Sequence, residues 1–369
     1  MTLDLLYIGL GLICLVAGGE MLVRGASRIA LLLGVSPLVV GLTVVAFGTS
    51  APEAAVSILS AFRGATGMAV GNVMGSNIFN ILVVLGLSAL VMPLVVHKQV
   101  VRFEAPLAAG VTIIFALLAA DGVIGRGDGA ILFIGVLFFT YWTVRKSRGE
   151  SAEERKKSVG KAGDMSQEKR HMALPALLIV TGVGLLVFGS NALVKGASAM
   201  ATHLGISDLI IGLTIVAAGT SLPELATSVI AGLKGERDIA VGNAIGSNLF
   251  NILFVLGIAA LVSPVGLSVP PEALSFDLWV MLGVAGLALP VFITGYRISR
   301  WEGVVFLVFY GIYLCFIVLS AGGRPELKAF KIAAIFFITP AVMLIVGTTI
   351  GQFFFHQGEK DVSRYDQKR

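Results

Sequence analysis

The sequence predicts an all-α integral membrane protein made of two inverted five-helix repeats, ten core transmembrane helices, with an eleventh helix near the C-terminus. Three observations carry that expectation: the composition, an internal duplication, and the number of apolar spans in each copy. Hydrophobic residues make up 56% of the 369 and charged residues 13%, with a mean hydropathy of +0.93, far from the balance of a water-soluble domain. Many apolar runs reach the roughly 20 residues that a helix needs to cross a bilayer, and the period-2 alternation of an outer-membrane barrel is missing. The stretch GLTVVAFGTSAPE at 41–53 returns as GLTIVAAGTSLPE at 212–224, an offset of 171 residues. Across 41–93 and 212–264, 31 of 53 aligned positions are identical without a gap, the mark of a duplicated unit.

Taken in order, spans are expected at 3–23, 36–62, 68–93, 105–120 and 129–145. The first apolar run has the look of a signal peptide, but Asp4 leads it, no basic segment precedes it, and its length suits a retained span. Arg145 to Arg170 contains nine basic and five acidic residues and no apolar periodicity, which predicts a solvated, mobile linker. The second copy repeats the layout at 172–194, 207–233, 239–264, 277–295 and 303–320, and an extra apolar run at 332–355 has no counterpart in the first. The expected divisions are a first repeat at 1–145, a charged cytoplasmic linker at 146–171, a second repeat at 172–320, and a C-terminal helix and tail at 321–369.

Five is an odd number, so the second copy enters the membrane in the opposite orientation to the first. An outside N-terminus leaves 21 Lys and Arg on the cytoplasmic side against six outside, as the positive-inside rule requires. The expectation is a multi-pass protein of the inner or plasma membrane, with linker and C-terminus cytoplasmic. The pI of 9.2 then reflects topology, since the basic residues sit in short connections with no aromatic platform for nucleic acid. Cys14 and Cys315 lie in apolar runs without metal or redox spacing and read as packed thiols.

Within the duplicated core, Thr49, Ser50 and Glu53 fall on one side of a helix, as do Thr220, Ser221 and Glu224. Pro52 and Pro223 interrupt these spans, freeing carbonyls at Gly48 and Gly219, and broken helices at membrane depth are tolerated where they line a polar cavity. A second repeated motif, GNVMGSNIFNIL at 71–82 and GNAIGSNLFNIL at 242–253, sets Asn72, Ser76 and Asn80, and again Asn243, Ser247 and Asn251, along one helix face. Gly71 and Gly75, with Gly242 and Gly246, allow close helix approach. Small polar residues often do no more than join membrane helices, but a carboxylate in an apolar span with no basic neighbour, present twice, points to function. The cluster offers only oxygen donors, with no His or Cys, which suits hard cations such as calcium and not zinc or copper. Glu20 and Arg24, four apart, read as a structural or gating pair, replaced in the second copy by Asn191 and Lys195. His97, His171, His203 and His356 fall in connections or at span ends.

GTSAPE and GTSLPE, with the paired GNxxGSNxFNIL motifs, closely resemble the alpha repeats of the sodium/calcium exchanger family, within the cation/calcium exchanger superfamily. The resemblance covers about 106 of the 369 residues. It implies ten core helices, a central ion site made by the second and third helices of each half, and alternating access as the first helix of each half slides across the rest. By position it implies that Glu53 and Glu224 are the carboxylates shared by calcium and sodium, with oxygens from Thr49 and Thr220. Ser50, Ser76, Ser221 and Ser247, with the carbonyls of Ala46 and Ala217, would be flanking sodium ligands, and Asn80 and Asn251 would complete the centre. Many members have an aspartate where this chain has Asn251, which bears on stoichiometry and on potassium or proton coupling.

The expected function is a secondary-active antiporter exchanging calcium for sodium, with calcium/proton antiport as the alternative, since desolvation favours a protonated carboxylate. A cation channel is a further class, because carboxylate rings also select cations. An intramembrane hydrolase is disfavoured, as neither core holds a His beside its Ser. The expected partners are small inorganic cations and the bilayer, with no permanently bound cofactor, no nucleic acid and no obligatory protein partner.

Overall fold

The chain opens with a single long helix, α1 (Thr2–Leu33), which ends where Gly34 adopts a left-handed φ of 64°. A side chain is strained in that conformation, so Gly34 is a natural stop. Ser36 then caps the next helix by accepting from the Val39 amide, and Pro37 supplies the preset first turn. In this computed structural model, residues 1–157, 172–206, 208–321, 327, 330–331, 333–335 and 338–349 are described.

The second helix, α2, comes in two pieces, Pro37–Thr49 and Ala51–Phe62, bent by 47° at Ser50. It is followed by α3 (Thr66–Val91), α4 (Val100–Leu118) and α5 (Arg126–Ser147). The second half repeats the series as α6 (Ala173–His203), α7 (208–219 and Leu222–Leu233), α8 (Arg237–Val262), α9 (Ala273–Tyr296) and α10 (Arg300–Ala321). Among the described residues, eight helices are long and apolar enough to cross a membrane, and the bent α2 makes nine. A shorter apolar helix, α11 (Ala333–Thr349), covers part of the extra C-terminal run; residues 350–355 of that run, like His171 and His356, lie outside the described residues.

Several boundaries differ from those expected. The first helix of each half extends more than two turns beyond its apolar run, and glycines of these extensions pack on the partner helix, Gly25 against Ile179 and Gly196 against Ile8. The helix α5 belongs to one that continues to Lys157, into the stretch read as a solvated linker; SAEERKK is rich in good helix formers with opposite charges three and four apart. The rest of the linker, 158–171, lies outside the described residues. His203, expected in a loop, ends α6, with Nε2 3.2 Å from Asp4 Oδ2. Cys14 is buried as expected, but Cys315 is exposed on α10. Two short antiparallel ribbons also tie the halves together: β1 (Leu94–Val95) with β4 (Arg297–Ile298), and β2 (Val123–Ile124) with β3 (Leu267–Ser268).

The centre belongs to α3 and α8, whose apolar spans are 83% and 78% buried, against 39% and 28% for α1 and α6. The halves interlock: Gly86 of α3 lies against Gly303 of α10, and Gly257 of α8 against Gly129 of α5. Outside this core, α1 and α6 pair along glycines spaced by seven, Gly11, Gly18 and Gly25 on one and Gly182, Gly189 and Gly196 on the other. A Cβ on Gly18 would meet the Gly182 carbonyl oxygen at 2.7 Å, and one on Gly189 the Gly11 carbonyl oxygen at 2.8 Å. Backbones this close form one rigid pair. The regular glycine spacing was visible in the sequence, and it is the signal that could have paired these helices.

Candidate functional site: a buried carboxylate pair

The site is built where α2 and α7 break. Pro52 and Pro223 begin the second piece of each helix, so Glu53 and Glu224 stand in a first turn, where unpaired amides favour negative charge. Upstream, each broken helix carries a π-helical segment at the same duplicated position, Gly41–Val45 and Gly212–Val216. Another pair, Asn80–Leu85 and Asn251–Leu256, begins at the candidate asparagines. Such wide turns leave backbone groups out of the regular ladder and recur at functional sites. Of the two carbonyls expected to be loosened by proline, that of Gly219 accepts from the Ser190 hydroxyl of α6.

Both glutamates are fully buried, and each is held by the other half of the chain. Ser50 Oγ donates to Glu224 Oε1 at 3.0 Å, and Ser221 Oγ donates to Glu53 Oε1 at 2.8 Å. Ser76 Oγ lies 3.4 Å from the same Glu53 oxygen. The second oxygen of each carboxylate, Glu53 Oε2 and Glu224 Oε2, is buried without a hydrogen-bond partner. The whole side-chain amide of Asn80 is likewise unpartnered, as is Asn251 Oδ1, while Asn251 Nδ2 donates to Asn77 Oδ1 at 3.2 Å. Buried acceptors left open in this way cost free energy unless a ligand satisfies them. Among the described residues, neither glutamate forms an ion pair with a basic side chain.

The remaining candidates divide by side. Thr49 is buried, donates to Asn243 Oδ1 at 2.9 Å and lies 3.5 Å from Ser247 Oγ, itself buried. Its counterpart Thr220 is half-buried and reaches Asn72 Oδ1 only at 3.4 Å. Ala46 is buried, and its carbonyl accepts from the Ser50 amide at 3.0 Å and the Thr49 hydroxyl at 3.3 Å. Ala217 is exposed. The structure therefore gathers Glu53, Glu224, Ser50, Ser221, Ser76, Ser247, Thr49, Asn80 and Asn251 in the buried centre, and leaves Thr220 half-buried and Ala217 exposed.

A further set of residues braces the centre. Asn72 Nδ2 donates to the Glu53 carbonyl and to Ser57 Oγ, and Asn243 Nδ2 does the same to Glu224 and Ser228. Asn77 and Asn248 exchange reciprocal amide bonds to each other's backbone carbonyls at 3.4 and 3.3 Å, across the junction of α3 and α8. Neither was among the expected site residues, although the repeated GSN triplet contained them.

The two halves of this framework are not in the same state. A Cβ on Gly242 would meet the Leu38 carbonyl oxygen at 2.8 Å, and one on Gly246 the Leu42 carbonyl oxygen at 2.6 Å, so the first piece of α2 is seated on α8. At Gly71 and Gly75 of α3 nothing lies within 4 Å. The first piece of α7 is correspondingly open: Val216 is 48% exposed, whereas its counterpart Val45 is 0% exposed.

Comparison with known proteins identifies the family. The sodium/calcium exchanger protein family profile matches residues 3–145 and 174–319, nearly all of both halves. The chain belongs to the sodium/calcium exchanger family. Among curated relatives, the sodium/calcium exchanger MaX1 of Methanosarcina acetivorans is 33% identical over 344 residues, covering 85% of this chain and 98% of that protein. CaxA of Alkalimonas amylolytica, named as an antiporter, is 41% identical over 84% of this chain and 96% of its own length. A solved structure of the sodium-calcium exchanger NCX_Mj, soaked with sodium and strontium, superposes with a TM-score of 0.72 at 32% identity, covering 85% of this chain and 98% of that one. This exchanger is accordingly a multi-pass membrane transporter with the paired-repeat fold, and not an enzyme.

Proposed function

We propose that this exchanger moves calcium against sodium by alternating access to the site between Glu53 and Glu224. The observation that carries the reading is the pair of fully buried carboxylates, each tethered by the serine of the opposite repeat and each keeping one oxygen unpartnered. Two carboxylates balance one calcium ion. Calcium takes six to eight oxygens at ~2.3–2.6 Å, and the open oxygens of Glu53, Glu224, Asn80 and Asn251 are the first of these. The hydroxyls of Ser50 and Ser221 donate to carboxylates and keep lone pairs free, so the same groups, with Thr49, Thr220, Ser76, Ser247 and the carbonyls of Ala46 and Ala217, would also serve sodium. Calcium and sodium then compete for one set of oxygens, and that competition is the coupling.

Access follows from the seated and unseated pieces. With α2 packed on Gly242 and Gly246, and Gly71 and Gly75 uncovered, the site opens on one face only. Exchanging the two packings between the inverted repeats moves the opening to the other face. With the N-terminus outside, the uncovered face is extracellular, and the linker and C-terminus are cytoplasmic. The same reading keeps the repeats at 1–145 and 172–320 as the two functional halves.

The test is calcium flux into proteoliposomes under imposed sodium, potassium or pH gradients, for the native protein and for Glu53→Gln, Glu224→Gln and Asn251→Asp. Sodium-driven flux lost in both Gln variants is expected. Native uptake indifferent to the sodium gradient would overturn the assignment.

A further inference from the structure

We infer that Glu20 and Lys234 form a one-sided latch, which holds the α1–α6 pair against the core and favours the state in which α2 is seated on α8. The consequence for transport rests on the antiport reading above; the latch itself rests on geometry. Lys234 caps the C-terminal end of Leu222–Leu233 in α7, and its Nζ lies 2.9 Å from Glu20 Oε1. The same oxygen lies 2.5 Å from Arg24 Nη2. Arg24 rides on α1 with Glu20 and neutralises it wherever α1 goes. Lys234 belongs to the core, so its bond lasts only while α1 lies along Leu222–Leu233. It does so here, with Ile230 Cδ1 2.6 Å from where a Cβ on Gly19 would stand.

The duplication supplies an internal control. At the offset of 171, Glu20 corresponds to Asn191, Arg24 to Lys195 and Lys234 to Arg63. An amide replaces the carboxylate, so the opposite end of the carrier has both cations and lacks the anion. Lys195 is engaged inside the α1–α6 pair instead, donating to Tyr7 Oη at 3.2 Å with Nζ 4.4 Å from the centre of that ring. At the two acids each repeat supplies the same serine to the other, whereas here the repeats differ by a charge. A contact present in one state only shifts the equilibrium by its own free energy.

The test reads access without needing transport. In a background carrying Cys14→Ala and Cys315→Ala, Val216→Cys is labelled with a membrane-impermeant maleimide in intact cells and in inverted vesicles. Val216 is exposed here, and its counterpart Val45 shows that seating buries this position. Lys234→Gln or Glu20→Gln is expected to slow labelling about fivefold, the loss of one such pair, and the double variant no further. Asn191→Glu, which sets a carboxylate beside Lys195 and opposite Arg63, is expected to slow it as well, and Arg63→Gln added to that variant to restore it. Labelling at the parent rate in both Lys234→Gln and Asn191→Glu would overturn the latch, as would lowered thermal stability with an unchanged labelling rate. Should labelling shift as expected while calcium flux ignores sodium, the latch stands and the antiport reading fails.

Discussion

Glu53 and Glu224 each accept from a hydroxyl of the other repeat, so neither half alone contains the whole of the proposed site. Replacing either by Gln leaves a single negative charge facing a divalent ion, and exchange is expected to fall about 100-fold or more, measured as sodium-driven calcium uptake. The two losses should be comparable, since each acid accepts from the serine of the opposite repeat. Ser50→Ala and Ser221→Ala each remove one neutral hydroxyl donor to a carboxylate. Each should raise the half-saturating calcium concentration about three- to tenfold while leaving turnover measurable. Most of these side chains were legible beforehand, because a carboxylate in an apolar duplicate is conspicuous. Asn77 and Asn248 were not: their amides look like any small polar group until α3 and α8 are seen crossing, where each closes the backbone of the other.

Glycines carry the comparable information for helices, and the same residue type has opposite meanings on the two faces. Gly246→Leu would drive a side chain into the Leu42 carbonyl oxygen, 2.6 Å from its Cβ position, and is expected to lower the yield of folded protein. Gly75→Leu meets nothing within 4 Å in this state; it should fold and bind calcium from the open face, yet stop turnover by blocking the seating of α7. Equilibrium calcium binding with flux abolished is the expected result, and normal flux would show that α7 does not seat there. Gly18→Leu should behave like Gly246→Leu, because the Gly182 backbone occupies its space. The long helix continuing to Lys157 shows the limit of apolar patterning: hydropathy marks where lipid ends, not where helical hydrogen bonding ends.

The assembled protein should also report its cargo through stability. A ligand that binds only the folded state at about 100 times its dissociation constant adds about 2.7 kcal/mol. Calcium is therefore expected to raise the melting temperature in detergent, chelation to reverse the rise, and Glu53→Gln or Glu224→Gln to abolish it. Retention of the full calcium shift in either variant would place the binding site elsewhere.

The membrane class, the duplication, the inverted repeats and the two acids all follow from the linear chain, because burial in lipid constrains composition and a repeat is a property of the sequence alone. The cross-repeat serine bonds, the α1–α6 pairing and the Lys234 partner of Glu20 required the fold. So did the difference between the seated and open faces, because the core segments of the two repeats, identical at 31 of 53 positions, carry the same local pattern. Contacts between residues about 170 positions apart depend on how the two halves interlock, and that is a balance of packing across the whole interface that no local pattern records.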